Sequence, residues 1–230
     1  MTEPDWLACT DPQPMLEFLR GKASERKLRL FAAASFRRLV ALLPDPRQRR
    51  GIEVLEQLGE GAITPDACRG VVTGVQQAIP PNGWSPGSPP PAEDRYYTAS
   101  MLYREFCSSS ISSSSIGVHA VHASAGLADD AGERHEQARL MRCIFGNPFR
   151  LALLSPAVLT WNDATVVRLA QAAYEERKLP EGTLDNGRLA VLADALEEAG
   201  CTDADVLGHL RGQGPHVRGC WAVDLCLGKS

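Results

Sequence analysis

The stretch SERKLRLFAAASFRRLVALLPDP, residues 24–46, indicates the fold class of this chain. Its apolar and small residues recur at intervals of three and four positions, which predicts an amphipathic helix. Ser24 is a suitable N-cap, and Pro44 ends the pattern because proline has no amide hydrogen to donate. Asp45 and Pro46 then supply a cap and a first-turn proline for a second helix. The inward positions of the first helix are Leu28, Phe31, Ala32, Ser35, Leu39, Leu42 and Leu43.

The same helical signals continue through the rest of the chain. A third helix is expected from Thr64-Pro65 to Ile79, and another from about Glu133 to Phe145. Later helices are expected to start at Asn162 or Asp163, near Leu189, at Thr202 or Asp203, and at the Gly-rich turn 212–215. No segment shows the alternation that is typical of a strand. The sequence therefore predicts an all-α fold, either a multi-helix bundle or a short helical-repeat-like array, with no significant β-sheet.

Two unusual segments suggest how the chain is divided. The stretch 79–94, IPPNGWSPGSPPPAED, is too rich in proline for a helix or a central strand, so it is expected to be a loop or linker. It separates an N-terminal helical unit, 1–78, from a C-terminal helical unit, 95–230. Within the latter, the serine-rich segment near 106–126 is either mobile or a tightly packed helix, and its near-heptad apolar spacing favours the helix.

Charge is unevenly distributed along the chain. The net charge is −4, which excludes a uniformly basic nucleic-acid coat. Residues 22–50 carry nine basic and two acidic side chains, and residues 175–205 carry nine acidic and three basic ones. Such segments are most often solvated helix faces, although they also suit an oppositely charged partner.

The cysteines and the chain start indicate the cellular compartment. The seven cysteines include no C-x-x-C pair, and the beginning MTEPDW shows no apolar signal stretch. No apolar run approaches the roughly 18 residues that cross a bilayer. We therefore expect a soluble cytoplasmic protein with reduced thiols and no membrane partner.

Long strings at both ends resemble a family of uncharacterised bacterial proteins of unknown function. They are DWLACTDPQPMLEFLRGKASERKLRLF near the start and, toward the end, LTWNDATVVRLAQAAYEER and LADALEEAGCTDADVLGHLRGQGPHVRGCWAVDLCLGK. The resemblance implies an alanine-rich, helical middle region. It also implies that relatives carry cysteines where this chain reads AAAS, residues 32–35, so thiol chemistry based on that stretch would be missing here. It implies no activity.

The C-terminal segment contains the one Cys/His cluster that local spacing suggests, formed by Cys201, His209, His216 and Cys220. Zinc accepts such two-Cys, two-His sets, and His216 and Cys220 would share a face of a last helix. The spacing matches no common zinc module, however. We therefore interpret these residues mainly as packing residues around Trp221, with zinc as the alternative and no cofactor as the primary expectation.

Anion binding is a further hypothesis. GQGPHVRG, residues 212–219, offers glycines and a helix N-terminus flanked by Arg211 and Arg218, which suits a phosphate or carboxylate. The basic segment 22–50 offers a second set of cations for nucleic-acid phosphates. Its candidate contact residues are Arg37, Arg38, Arg47, Arg49 and Arg50.

No catalytic constellation is evident. No G-x-S-x-G elbow frames a serine, and the adjacent pairs Glu175-Glu176 and Glu197-Glu198 point about 100° apart on a helix. We therefore expect a non-catalytic cytosolic helical module whose partner is another protein. The alternatives are an anion or nucleic-acid binder using segment 22–50 and a small zinc-binding protein using the Cys/His cluster.

Overall fold

The computed structural model describes residues 1–43, 45–79 and 130–229. The expectations for the proline-rich segment and the serine-rich segment therefore lie outside the described residues, apart from Ile79. Within the described ranges the chain forms ten α-helices and no strand, so the all-α prediction is confirmed. They are α1 Glu3–Ala8, α2 Pro12–Leu19, α3 Glu25–Arg38, α4 Pro46–Gly59, α5 Arg69–Gln77, α6 Asp130–Phe145, α7 Pro156–Glu175, α8 Asn186–Glu198, α9 Ala204–Arg211 and α10 Trp221–Leu227.

The starts of α3 and α4 follow from their capping residues. The Ser24 side chain accepts a hydrogen bond from the amide of Lys27, 3.3 Å away, and Asp45 and Gln48 form a capping box at the start of α4. The predicted first helix is longer than the observed one. Helix α3 ends at Arg38, and the chain tightens into a 3₁₀ turn at Val40–Leu42 because the amides there bond to carbonyls three residues back.

The chain divides into two compact units, and α3, α4 and α5 belong to the first, which comprises Met1 and residues 9–138. Its core joins the inward faces of α3 and α4 with residues from the segment 68–79. The members are Ala32, Ala33, Phe36, Leu39, Leu43, Ile52, Val54, Leu55, Leu58, Cys68, Val75 and Ile79. The predicted third helix is shorter than expected, because residues 66–68 form a 3₁₀ turn before α5 begins.

A buried ion pair joins α3 to α4 beside this core. Arg37 donates from Nε to Glu56 Oε1 at 2.9 Å and from Nη2 to Oε2 at 2.8 Å. Both residues are only 6% exposed. The paired, two-bond geometry satisfies both charges in a position where either one alone would be strongly unfavourable.

The second unit comprises residues 2–8 and 139–230. The short helix α1 is held in it by Trp6, whose side chain is fully buried. The indole Nε1 donates to the carbonyl of Gly146 at 2.9 Å. A residue close to the chain start therefore packs against the end of α6, a contact between residues 140 positions apart.

Helix α7 starts earlier than expected and contains a break. Its N-cap is Ser155, whereas the sequence analysis placed the cap at Asn162 or Asp163. Those two residues and Ala164 instead have positive φ angles of 48°, 53° and 57°. Asn and Asp adopt this left-handed conformation more readily than other non-glycine residues, which is why the interruption falls at this position.

The end of the chain also differs from expectation. The predicted last helix opens at residues 212–215, but α10 begins only at Trp221, and residues 212–220 form a loop. Gly214 has φ +88°, and a Cβ there would lie 2.9 Å from the amide nitrogen of His216. The left-handed backbone and the close approach prevent a helix from running through this position. In the ranges that the structure covers, the helices are all too short or too polar to cross a bilayer.

Candidate metal centre

Four side chains that can ligate a metal ion converge in the second unit. They are Cys143, His209, His216 and Cys220, and their ligand atoms all lie within 4.8 Å of one another. Cys143 is near the end of α6, His209 is in α9, His216 is in the 212–220 loop, and Cys220 is the N-cap of α10. Helix α6, helix α9 and the 212–220 loop that leads into α10 therefore bring these four side chains to a common point.

The spacing of these atoms is close to that of a tetrahedral zinc site. Zn–S bonds of about 2.3 Å and Zn–N bonds of about 2.0–2.1 Å place tetrahedral ligand atoms about 3.4–3.8 Å apart. His209 Nε2 lies 3.2 Å from Cys220 Sγ, and the widest separation in the set is within 4.8 Å.

His216 is oriented by the loop that carries it. Its Nε2 lies 3.2 Å from the carbonyl oxygen of Gly212, an acceptor, so Nε2 carries the proton and donates. In the neutral imidazole, Nδ1 is then the unprotonated nitrogen. Nδ1 is buried and lacks a hydrogen bond of regular geometry among the described residues. A metal-ligating histidine usually donates its one ring N–H to a backbone carbonyl or a carboxylate. This hydrogen bond orients the ring so that the lone pair of the other ring nitrogen faces the metal.

His209 is the most exposed of the four side chains. Its ring meets that of His216 edge-on at a centroid distance of 4.8 Å and lies 5.3 Å from the Trp221 ring. The tryptophan is itself held against Gly146, where a Cβ would lie 2.9 Å from Trp221 Cγ. The φ angle of Gly146 is +65°, a conformation that also favours glycine. Both the backbone conformation and the close contact with Trp221 therefore favour glycine at this position. The close packing of Gly146, Trp221 and His209 limits the freedom of the imidazole.

The electrostatics of the cluster favour a thiolate. Burial raises the pKa of the Cys220 thiol, but the hydrogen bond from Cys143 and the charge and hydrogen bond of His209 outweigh it, so this pKa lies well below its usual value. Burial lowers the pKa of His216, but the hydrogen bond and charge of Cys220, together with the hydrogen bond to the Gly212 carbonyl, outweigh it and raise this pKa overall. A sulfur that carries negative charge is the form that binds a metal.

Tyr174 in α7 supports the backbone around Cys220. Its hydroxyl donates to Asp224 Oδ1 at 2.6 Å, accepts from the amide of Gly219 at 3.1 Å, and lies 3.3 Å from the carbonyl oxygen of Cys220. Tyr174 and Asp224 are 2% and 1% exposed. One phenol therefore connects the loop, the cysteine and the first turn of α10.

We expect Tyr174→Phe to destabilise the second unit by about 1–3 kcal/mol, because it leaves the Asp224 carboxyl and the Gly219 amide buried without this partner. Hydrogen exchange of the α10 amides measures this loss. The matched control is Tyr174→Leu, which also removes the ring and should cost more. Equal stability of Tyr174→Phe and the unmodified protein would contradict the supporting role of the hydroxyl.

Cys201, the fourth member of the set predicted from sequence, lies outside the cluster. It follows Gly200 at the end of α8, and its amide bonds to the carbonyl of Leu196 at 2.9 Å. Burial raises the pKa of the Cys226 thiol to about 12, and the charges of Cys220 and Cys201 add to this effect. Cys143 takes the place of Cys201 in the cluster. From the sequence, Cys143 is only part of the helix expected from about Glu133 to Phe145, and no local spacing connects it to His209.

Four of the five arginines proposed to contact phosphates pair with acidic neighbours. Arg37 forms the buried pair with Glu56 described above. Arg38 donates to Glu133 at 2.9 Å, also within the first unit. Arg47 pairs with Asp45 at 2.7 Å. Arg49 is exposed, and Arg50 pairs with Glu53. The side chains proposed to contact phosphates thus do not form one continuous exposed row.

The two arginines that flank the C-terminal loop are also engaged. Arg211 contacts Asp194 at 2.7 Å and Glu197 at 2.6 Å, so part of the acidic segment is matched within the unit. Arg218 donates to the carbonyl of Tyr174 at 3.1 Å, and its guanidinium lies 5.5 Å from the centre of that ring. Both side chains stabilise the fold around the cluster.

Comparisons with known proteins give no relative for this chain. No family model matches it, and neither the curated proteins nor the solved structures contain a match. The cluster of Cys143, His209, His216 and Cys220 is therefore the feature on which a functional argument rests.

Proposed function

We propose that this chain is a small helical zinc-binding protein whose second unit is organised around Zn²⁺ held by Cys143, His209, His216 and Cys220. The observation that carries the proposal is the convergence of two sulfurs and two imidazoles within 4.8 Å, together with a buried Nδ1 of His216 that lacks a hydrogen bond of regular geometry among the described residues. Core histidines normally satisfy both nitrogens, so packing alone does not account for this atom.

The donor set supports zinc over other ions. Two thiolates and two neutral imidazoles suit a borderline-soft ion with tetrahedral preference, whereas magnesium and calcium prefer oxygen ligands. Two thiolates also neutralise the charge of Zn²⁺. Neutrality matters because Cys143, His216 and Cys220 are at most 3% exposed, and an unbalanced charge there would be costly.

A set of four protein ligands is typical of a structural site. Catalytic zinc sites keep one position open for water or substrate, and here each of the four positions has a protein donor. The metal would cross-link α6, α9, the 212–220 loop and α10, of which α9 and α10 have only eight and seven residues. Helices this short are not stable alone, so a cross-link would add to the apolar packing that holds them in place.

The remaining parts of the functional hypothesis stay predictions. A cytoplasmic location is consistent with six described cysteines that are all free thiols. The role of a protein-interaction module remains the prediction made from the sequence. Zinc binding is compatible with that role, since structural zinc sites commonly stabilise small binding units.

The test is the metal content of protein purified without a histidine tag. We expect about one zinc per chain in the unmodified protein and in Cys201→Ser, and a loss of zinc in Cys143→Ser. Cys201→Ser is the matched control, because Cys201 is a buried thiol in the same unit that belongs only to the set predicted from sequence. Substitution with Co²⁺ would report directly how many thiolates bind the ion.

Two results would overturn the proposal. One is metal-free protein that fails to take up Zn²⁺ or Co²⁺ during refolding in the presence of either ion. The other is loss of the metal in Cys201→Ser with retention in Cys143→Ser, which would return the site to the four residues expected from sequence.

A further inference from the structure

A cavity opens beside the cluster. Its volume is about 310 Å³, and its wall includes Cys143, His209 and His216 together with Arg139, Arg142 and the loop around Gly214. Cys220 does not line it and is fully buried. The two sulfurs therefore differ: the Cys143 side borders the cavity, and Cys220 lies behind it.

The charge of the cavity wall is positive. Arg139 and Arg142 are three residues apart on α6 and so lie on one face of the helix. Arg139 donates from Nη2 to the carbonyl of Gly214, and Arg142 donates from Nη1 to the carbonyl of Trp6 at 3.4 Å. The described residues that line this cavity include no aspartate or glutamate. A small oxidant that gains negative charge as it reacts is stabilised by such a wall.

We propose that the cluster is a peroxide-responsive zinc site, in which oxidation joins Cys143 to Cys220 and releases the metal. This inference rests on the proposed zinc site. It is carried by three features: two sulfurs within 4.8 Å, a cavity that reaches only Cys143, and the arginines in that cavity's wall.

The chemistry proceeds in two steps with hydrogen peroxide as the oxidant. The Cys143 thiolate attacks one peroxide oxygen, forming an S–O bond and breaking the O–O bond, and the departing hydroxide takes a proton to become water. The Cys220 thiolate then attacks the Cys143 sulfur. An S–S bond forms, the S–O bond breaks, and the second hydroxide also takes a proton to become water. Two thiolates, one peroxide and two protons thus give one disulfide and two waters.

The geometry makes this pairing specific. An S–S bond of about 2.05 Å requires the two sulfurs to approach from a separation within 4.8 Å, a movement of a size that side-chain rotation supplies. Once both thiolates are consumed, only His209 and His216 remain as donors. Two imidazoles do not hold zinc as four ligands do, so the ion is released while α6 stays covalently joined to the start of α10.

The experiment adds hydrogen peroxide to the full-length zinc-loaded protein. Zinc release is followed with a chromophoric chelator, and the remaining thiols are alkylated before peptide mass analysis. We expect the release of zinc to follow the same time course as a linked Cys143–Cys220 peptide, and both to reverse with a thiol reductant and added Zn²⁺. Cys201→Ser is the matched control and should respond as the unmodified protein does.

The outcomes separate this inference from the proposed function. Zinc-loaded protein that keeps its metal in peroxide, or that links other cysteines such as Cys201 and Cys226, overturns the peroxide response and leaves the zinc site intact. Protein that takes up no zinc overturns both. A linked Cys143–Cys220 peptide that forms together with zinc release supports both.

Discussion

Removal of zinc is expected to destabilise the second unit strongly, because the ion would cross-link α6, α9, the 212–220 loop and α10 at one point. Structural zinc contributes roughly 10–16 kcal/mol of apparent binding energy in zinc-finger peptides. Even a third of this value is comparable with the entire stability of many domains, about 5–15 kcal/mol. Chelation should therefore lower the melting temperature of the second unit by well over 10 °C, with a loss of helical circular dichroism.

Site-specific probes can assign this loss to the cluster. Trp221 lies 5.3 Å from His209, so its fluorescence should change as the site opens. Hydrogen exchange should show loss of protection in α9 and α10, whereas α3 and α4, which belong to the first unit, should keep theirs. Cys220→Ser should reproduce the effect of the chelator, and Cys201→Ser should not. Identical melting of the zinc-loaded protein with and without a chelator that removes the ion would contradict the structural role.

The second large effect is expected in the first unit, at the Arg37–Glu56 pair. Glu56→Ala leaves the Arg37 guanidinium nearly buried without its carboxylate, and breaking a buried pair in this way costs about 3–5 kcal/mol. The two bonds of 2.8 and 2.9 Å connect α3 to α4, so both helices should lose stability together. Hydrogen exchange of their amides, combined with chemical denaturation, measures the change.

Two control variants show whether the effect comes from an uncompensated charge. The double variant Arg37→Met with Glu56→Leu replaces both charges with apolar groups of similar size and should recover most of the lost stability. Asp66→Ala breaks the Arg69–Asp66 pair, whose side chains are more than 80% exposed, and should change stability little. A double variant as unstable as Glu56→Ala would argue that packing around the α3–α4 contact, and not charge, is responsible.

The fold class was predictable because the signals for helices are local. An N-cap bonds to an amide two or three residues away, as Ser24 does to Lys27 and Asp203 does to Val206. The three-to-four-residue repeat of apolar side chains that indicates a helix is likewise contained within that one helix. Where the prediction was wrong, a nearby backbone feature intervened: the 3₁₀ turn after Arg38, the left-handed residues 162–164, and the glycines that keep 212–220 out of a helix.

The candidate site was predictable only in part, because one of its four residues comes from a distant part of the sequence. His209, His216 and Cys220 lie within a stretch of twelve residues, so their short separation along the sequence was enough to predict that they lie close together. The fourth member did not. Cys143 is 66 residues before His209, and nothing in the sequence of α6 distinguishes a ligand from a core cysteine.

The sequence by itself determined an all-helical chain, the caps at which several helices begin, and a local group of one cysteine and two histidines near the end. The tertiary structure alone decided which second cysteine completes that group, and which glutamate pairs with Arg37. The physical reason is that helix signals act over a few residues, whereas metal ligands and buried ion pairs depend on which distant side chains the packing of helices brings to one point.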